Sequence, residues 1–268
     1  MDNKLSERLR NQKEKGEKGF IPYIMAGDGG LEHLAETIRY LEGQGASAIE
    51  IGIPFSDPVA DGPSIQEAGL RSLAKGVSLK SILTELSRHE FSVPLIIMTY
   101  ANPIMQMGAR AFAEAAMRAR ISGCIIPDVP FEEEALFKKP LSEAGIVVIR
   151  LVPLTASLER LEVLSREAEG FLYAVTINGI TGEKGEIELR FLQERVERLK
   201  GLTEVPIYAG FGISNAQMGN ALLAFCDGII VGSKIVDALH NGDRKGIEEF
   251  TAGLKRSSVK FEFVFQKL

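Results

Sequence analysis

The sequence is poor in the residues from which redox, metal and triad sites are built. Cys124 and Cys226 are its only cysteines, and each lies in a run of apolar and small residues. We therefore expect both to be reduced core residues of a cytoplasmic protein. The three histidines are scattered along the chain, which leaves little from which to build a His-based metal site or a Ser/His/Asp triad. No metal site is predicted.

The charge balance excludes a second set of functions. The chain has 31 basic and 36 acidic residues, a net charge of −5 and a pI near 5.5. It therefore lacks the basic surface that binding to nucleic acid requires, although a small anionic substrate needs only local donors. The first 19 residues are charged throughout and contain no apolar segment. They predict neither a secretory signal nor a membrane span.

Short apolar runs alternate with longer amphipathic stretches along the 268 residues. This alternation is typical of βα units on a parallel sheet. The eight predicted strands are Phe20–Ala26, Ser47–Ile53, Pro94–Thr99, Gly123–Pro127, Val147–Val152, Phe171–Thr176, Pro206–Gly210 and Gly228–Val231.

Between these runs, leucine and isoleucine recur at helical spacing and give each predicted helix one apolar face. The stripes are Leu31–Leu41, Leu79–Leu86, Leu158–Leu164 and Leu189–Leu199. Eight strands, each followed by a helix, close into a barrel without edges, whereas an open doubly wound sheet leaves edges to be covered. We predict an α/β fold with a single (β/α)8 TIM-barrel domain over residues 1–268. The amphipathic segment Leu5–Lys15, within residues 1–17, is expected to close the bottom of the barrel.

A carboxylate interrupts the second apolar run. Glu50 lies between Ile49 and Ile51, and burying an unpaired carboxylate costs several kcal/mol. A salt bridge in the barrel floor is one explanation for this residue, and a catalytic role is the other. The next loop is stiffened by prolines and carries Asp57 and Asp61. Glu50 and Asp61 could face one substrate and divide acid and base work between them.

Two glycine turns follow the seventh and eighth predicted strands. The segments are 205–214 and 228–233, and Ser214 with Gln217 predicts a capping box at the first of these helices. Helix N-termini beside glycines bind phosphate, and the loops after strands 7 and 8 are where such barrels hold it. The pattern predicts a phosphorylated ligand but no particular reaction. The glycine-rich residues 176–190 form either a plain surface loop or a mobile lid over the site.

Several motifs of this sequence resemble those of a known family, the tryptophan synthase alpha subunits. The most specific motif is EIGIPFSDPVADGP, from Glu50 to Pro63. The resemblance covers nearly the whole chain in order. Its other motifs are Tyr100–Pro103, Pro127–Pro130, Gly179–Gly182, Gly210–Ser214 and Val231–Ser233.

This resemblance implies a TIM barrel that cleaves indole-3-glycerol phosphate to indole and glyceraldehyde 3-phosphate by a retro-aldol reaction. It implies no cofactor in this chain, because pyridoxal phosphate belongs to the beta subunit of an alpha2beta2 complex. Glu50 and Asp61 take the catalytic positions. The implied substrate-binding residues are Tyr173, Thr181, Gly182, Phe211, Gly212, Ile213, Gly232 and Ser233. The implied interface with the beta subunit contains Asp57, Pro58, Asn102 and Pro103.

Three other functions compete with this one. Epimerases and isomerases of phosphosugars share the phosphate site, but they usually need a His, Lys or metal pair that the assigned strand ends lack. A silent regulatory subunit is disfavoured because both Glu50 and Asp61 are present. A stand-alone lyase that releases free indole is not separated from a complexed subunit by the sequence.

Overall fold

The computed structural model describes residues 3–175, 182–210 and 212–256. Its strands are β1 (Gly19–Met25), β2 (Ile49–Gly52), β3 (Leu95–Met98), β4 (Ile121–Ile125), β5 (Val147–Val148), β6 (Arg150–Pro153), β7 (Leu172–Val175), β8 (Ile207–Gly210) and β9 (Gly228–Val231). Each of the eight predicted runs coincides with these strands to within about two residues at either end, the usual uncertainty of boundaries.

The strands form one parallel sheet in the order β5-β4-β3-β2-β1-β9-β8-β7-β6. Only Ile149 separates β5 from β6, so the two are successive parts of one strand position. β5 pairs with β4 and β6 pairs with β7, which brings the two ends of the sheet together. The predicted fifth strand therefore appears as two segments, and the (β/α)8 barrel is confirmed.

Helices follow the strands and cover the outside of the barrel. They are α1 (Lys4–Glu14), α2 (Leu34–Gly43), α3 (Pro63–Ala74), α4 (Leu79–Leu86), α5 (Ala101–Met107), α6 (Ala109–Arg118), α7 (Ala135–Glu143), α8 (Leu158–Ser165), α9 (Gly182–Lys200), α10 (Ala216–Leu223), α11 (Ser233–His240) and α12 (Arg244–Ala252). Short 3-10 turns occupy Leu31–His33 and Phe131–Glu133. The four predicted stripes lie in α2 with the turn before it, α4, α8 and α9.

The hydrophobic core has two layers because strand side chains alternate between the two faces of the sheet. In β1, Ile21 and Tyr23 point into the barrel, whereas Phe20 and Ile24 pack against the helices. Both cysteines are buried, unpaired members of the outer layer.

Helix α1 lies across the amino ends of the strands. Leu5 and Leu9 are fully buried and pack into the inner layer. The Asn3 side chain caps the helix by accepting hydrogen bonds from the main-chain N–H groups of Leu5 and Ser6. Its Nδ2 donates to two main-chain carbonyls, of Ser122 at 2.8 Å and of Gly145 at 2.7 Å. Apolar contacts and hydrogen bonds together hold α1 against the barrel.

The segment predicted as a lid, residues 176–190, overlaps helix α9. Because α9 begins at Gly182, the last nine residues of that segment are helical, whereas residues 176–181 lie outside the described part of the chain. The glycines at 182 and 185 had indicated a loop here. No helix within the described ranges is both long and apolar enough to cross a membrane.

Candidate active site

A cavity of about 370 Å³ opens at the carboxyl ends of the strands, where barrels of this type hold their active sites. The two carboxylates predicted to be catalytic, Glu50 and Asp61, both line it. The predicted substrate-binding residues that line it are Tyr173, Gly212, Ile213, Gly232 and Ser233. Of the others, Gly182 is the first residue of α9, and Thr181 and Phe211 lie outside the described residues.

Glu50 is buried inside the barrel. It lies in β2 beside Tyr23 of β1 and Ile96 of β3, and only 1% of its surface is exposed. Neither carboxylate oxygen has a hydrogen-bond partner among the described residues, so the alternative of a salt bridge in the barrel floor is wrong. Burial, reinforced by the negative charge of Asp61, raises the pKa of Glu50 to about 8. Glu50 therefore holds a proton at neutral pH.

Asp61 lies just before α3 and is half-buried. Burial raises its pKa, and a hydrogen bond from the hydroxyl of Tyr100 opposes that rise. The same hydroxyl accepts a hydrogen bond from the main-chain N–H of Ala60 at 3.1 Å. Tyr100 thus joins the loop after β3 to the loop that carries Asp61. Sequence reasoning missed this role, although Tyr100 began one of the quoted motifs.

Two tyrosines complete the polar wall of the cavity. Burial, with the nearby carboxylates, raises the pKa of Tyr23 and of Tyr173 well above the usual value, so both hydroxyls stay protonated. A Cβ atom at Gly52 would overlap Tyr23, and one at Gly210 would overlap Tyr173. These glycines within the strands therefore make room for the tyrosine rings.

Between the polar groups the cavity wall is apolar. Ile65, Met98, Leu151 and Ile230 contribute this surface, which suits a flat aromatic group. Sequence reasoning named none of them. The signal that could have found Met98 is the alternation of side chains along its strand, which places it on the same face as Ile96, the pairing partner of Glu50.

The two predicted glycine turns also line the cavity. Gly212 has a φ of 72°, which glycine adopts without strain. Gly232 precedes α11, and within the described part of the chain no side chain caps that helix. The predicted capping box of Ser214 and Gln217 is wrong, because Asn215, one residue later, caps α10 by accepting from Met218 N at 2.9 Å. Two helix amino ends beside glycines form a suitable anion site.

A second cavity of about 450 Å³ shares Ala60 and Leu151 with the first. Its buried charges, Glu134 and Arg150, pair with each other at 2.7 Å between Oε2 and Nε. This cavity therefore offers no unpaired buried carboxyl group comparable to Glu50. Among the described residues, no group of three or more His, Cys, Asp or Glu side chains could hold a metal ion.

The four residues predicted at a partner interface lie on two adjacent loops at the same end of the barrel. Asp57 and Pro58 belong to the loop that carries Asp61, and Asn102 and Pro103 lie in the first turn of α5. Asp57 and Asn102 are exposed and both prolines are half-buried. The structure contains this chain alone, so the interface stays a prediction.

Comparison with known proteins assigns the family. A family model described as tryptophan synthase alpha chain matches residues 9–262. The tryptophan synthase alpha chain of a Bacillus cereus strain is 45% identical over 252 residues, covering 93% of this chain and 97% of the relative. The Bacillus anthracis protein of the same name has the same identity and coverage.

Solved structures agree with the sequence relatives. Tryptophan synthase subunit alpha from Legionella pneumophila str. Paris superimposes with a TM-score of 0.82 at 31% identity, covering 94% of this chain and 95% of that one. A chain of M. tuberculosis tryptophan synthase in its aminoacrylate- and BRD0059-bound form gives 0.84 at 26% identity, with 95% and 99% coverage. This chain belongs to the tryptophan synthase alpha chain family.

Proposed function

We propose that this protein cleaves indole-3-glycerol phosphate to indole and glyceraldehyde 3-phosphate, and that Glu50 and Asp61 are its catalytic residues. One observation carries the assignment of these roles. Glu50 is buried in the cavity with both carboxylate oxygens unpartnered among the described residues, where a purely structural carboxylate would have a partner.

The reaction is a retro-aldol cleavage that needs one proton delivered and one removed. Glu50, protonated at neutral pH, gives its proton to indole C3, which leaves a positive charge on N1. Glu50 then takes the proton of the glycerol 3′-hydroxyl as the carbon–carbon bond breaks. The bonding electrons return to the ring and regenerate indole, while the former hydroxyl carbon becomes the aldehyde. One carboxyl group thus acts first as acid and then as base.

Asp61 has a different role because its surroundings differ. Burial raises the pKa of Asp61, and the hydrogen bond from Tyr100 opposes that rise by favouring the ionised form. In that form its negative charge stabilises the positive charge that develops at N1. Two carboxylates in one cavity with unequal surroundings are a common arrangement for dividing acid and base work.

The remaining wall of the cavity suits the two ends of this substrate. Met98 and Leu151 offer an apolar surface for the indole ring. Gly212, Gly232 and Ser233 lie at the two turns that suit the phosphate.

The partner of this chain is proposed to be a tryptophan synthase beta subunit, which supplies pyridoxal phosphate and receives indole in an alpha2beta2 complex. The exposed loops with Asp57 and Asn102 would contact it. Neither nucleic acid nor a membrane is proposed as a partner, and the expected cytoplasmic location stays a prediction. The stand-alone lyase, in which the same reaction releases free indole, is not favoured, because the relatives at 45% identity over nearly the whole chain are tryptophan synthase alpha chains.

The test is a product assay. Purified chain, alone and with a beta subunit, is incubated with indole-3-glycerol phosphate, and indole and glyceraldehyde 3-phosphate are quantified. We expect equal amounts of both products. No indole under either condition would refute the function, and gel filtration with and without the beta subunit separates the complexed subunit from the stand-alone lyase.

A further inference from the structure

The cavity wall carries more negative than positive charge. Among the described residues that line it, the acidic side chains are those of Asp61, Asp237 and Glu50, of which Glu50 is protonated at neutral pH, and the one cationic side chain is that of Lys234. A phosphate ester entering this cavity brings up to two further negative charges. The position of the single lysine therefore matters for binding.

Lys234 lines the cavity directly after the second glycine turn. It follows Gly232 and Ser233 in the first turn of α11, and its side chain is half-buried. Within residues 3–175, 182–210 and 212–256 it has no ion pair and no side-chain hydrogen bond. Asp237, one turn later, instead accepts a hydrogen bond from the Ser64 hydroxyl at 3.2 Å. Lys234 is thus a cation without a partner among the described residues, at the amino end of α11.

We propose that Lys234 binds the phosphate group of the substrate, in addition to the main-chain groups of the two glycine turns. This inference rests on the proposed function, which supplies the phosphate ester. An ammonium group forms charge-assisted hydrogen bonds with phosphate that are stronger than those of neutral donors. Because the phosphate is remote from the bond that breaks, its loss should weaken binding rather than slow the chemical step.

The kinetic test replaces Lys234 and a matched control lysine. In Lys234→Ala we expect the KM for indole-3-glycerol phosphate to rise about tenfold, with kcat within about threefold of the parent. Lys234→Arg retains the charge and should restore most of the affinity. The control is Lys245→Ala, on the surface of α12, where the lysine pairs with Glu249 at 3.6 Å. It removes the same net charge and should leave both constants unchanged.

A binding measurement tests the proposal without turnover. Isothermal titration with inorganic phosphate should show about a tenfold loss of affinity in Lys234→Ala and none in Lys245→Ala. Indole, which has no phosphate, should bind both variants as it binds the parent.

Three results of the phosphate titration would overturn the role of Lys234: no detectable phosphate binding by the parent, equal phosphate affinity in the parent and Lys234→Ala, or an equal loss of phosphate affinity in Lys245→Ala. A matching loss of indole affinity in Lys234→Ala would also overturn it, because the cavity itself would then have changed. If the parent forms no indole from indole-3-glycerol phosphate, the proposed function fails, and the phosphate titration still decides whether Lys234 binds the anion.

Discussion

The two ends of the barrel differ in whether their polar groups have hydrogen-bond partners. At the amino end, lysines on and near α1 donate hydrogen bonds to main-chain carbonyls that precede strands. Lys4 reaches Phe91 O at 3.0 Å, Lys13 reaches Glu204 O at 2.8 Å and Lys18 reaches Cys226 O at 2.8 Å. At the carboxyl end, Glu50 lies buried with no partner for either oxygen among the described residues.

This difference separates residues that hold the fold from residues that serve the reaction. Hydrogen bonds made at the amino end stabilise the closed barrel, because each satisfies a carbonyl for which the described residues provide no other donor. The unpartnered carboxyl group at the carboxyl end costs stability, and such a cost persists where it serves a function. Substitutions at the two ends should therefore affect different measurements.

The largest effect is expected from Glu50→Gln. This change keeps the shape of the side chain and removes the proton shuttle, so kcat should fall by about 10²–10⁴ while substrate still binds. The measurement is steady-state cleavage of indole-3-glycerol phosphate. Turnover within about threefold of the parent would contradict the role of Glu50.

The matched control for Glu50→Gln lies at the other end of the barrel. Glu42 accepts hydrogen bonds from the main-chain N–H groups of Ser92 at 2.6 Å and Val93 at 3.1 Å. Glu42→Gln should lower the free energy of unfolding by about 1 kcal/mol and leave kcat unchanged. A similar loss of kcat in both variants would remove the distinction between the two ends.

The pH dependence of stability is the second test. The pKa of Glu50 rises from 4.5 to about 8 on folding, so between these values the folded chain holds a proton that the unfolded chain has lost. The contribution of this proton to the free energy of unfolding is fully present below about pH 4.5 and is lost as the pH rises towards 8. From about pH 5.5 to about pH 8 the parent should lose roughly 3 kcal/mol more than Glu50→Gln in urea unfolding. Parallel pH profiles for the two proteins would show that Glu50 is not buried as described.

Shortening a buried side chain at the amino end of the barrel should lower the stability of the protein and leave its activity unchanged. Leu9 is fully buried beneath the barrel, so Leu9→Ala should lower the free energy of unfolding by about 2–5 kcal/mol. At a temperature where the variant is folded, kcat and KM should match the parent. Leu158 is 48% exposed, and Leu158→Ala should cost much less. Loss of activity in folded Leu9→Ala would mean that the two ends are coupled.

The same contrast explains what the sequence could predict. The strand positions and the unusual place of Glu50 can be predicted from the sequence, because an apolar run, and a charged residue within it, are local patterns. The hydrogen-bond partner of Asp61 cannot be predicted in this way, because Tyr100 is 39 residues away and reaches Asp61 only through the packing of adjacent loops. Met98 and Lys234 were missed for a similar reason, since lining a cavity depends on strand register and helix orientation. The cap of α10 was misplaced by one residue because Ser214 and Asn215 are both good cap residues.

The smallest expected effect concerns the predicted interface. Pro58 restricts the loop that carries Asp61, and that loop is tied to the neighbouring one through Tyr100. Docking of a beta subunit on these loops would hold Asp61 in place, so we expect the partner to raise kcat of the parent at least about tenfold, or about 1.4 kcal/mol of barrier.

Pro58→Ala should lose most of this activation while its activity without the partner changes little, because the freed loop no longer transmits docking to Asp61. Pro140→Ala, on helix α7, is the control and should be activated like the parent. The measurement is kcat at saturating beta subunit. Equal activation of Pro58→Ala and the parent would show that this loop does not carry the coupling, and the functional part of the carboxyl end would then be limited to the groups that line the cavity.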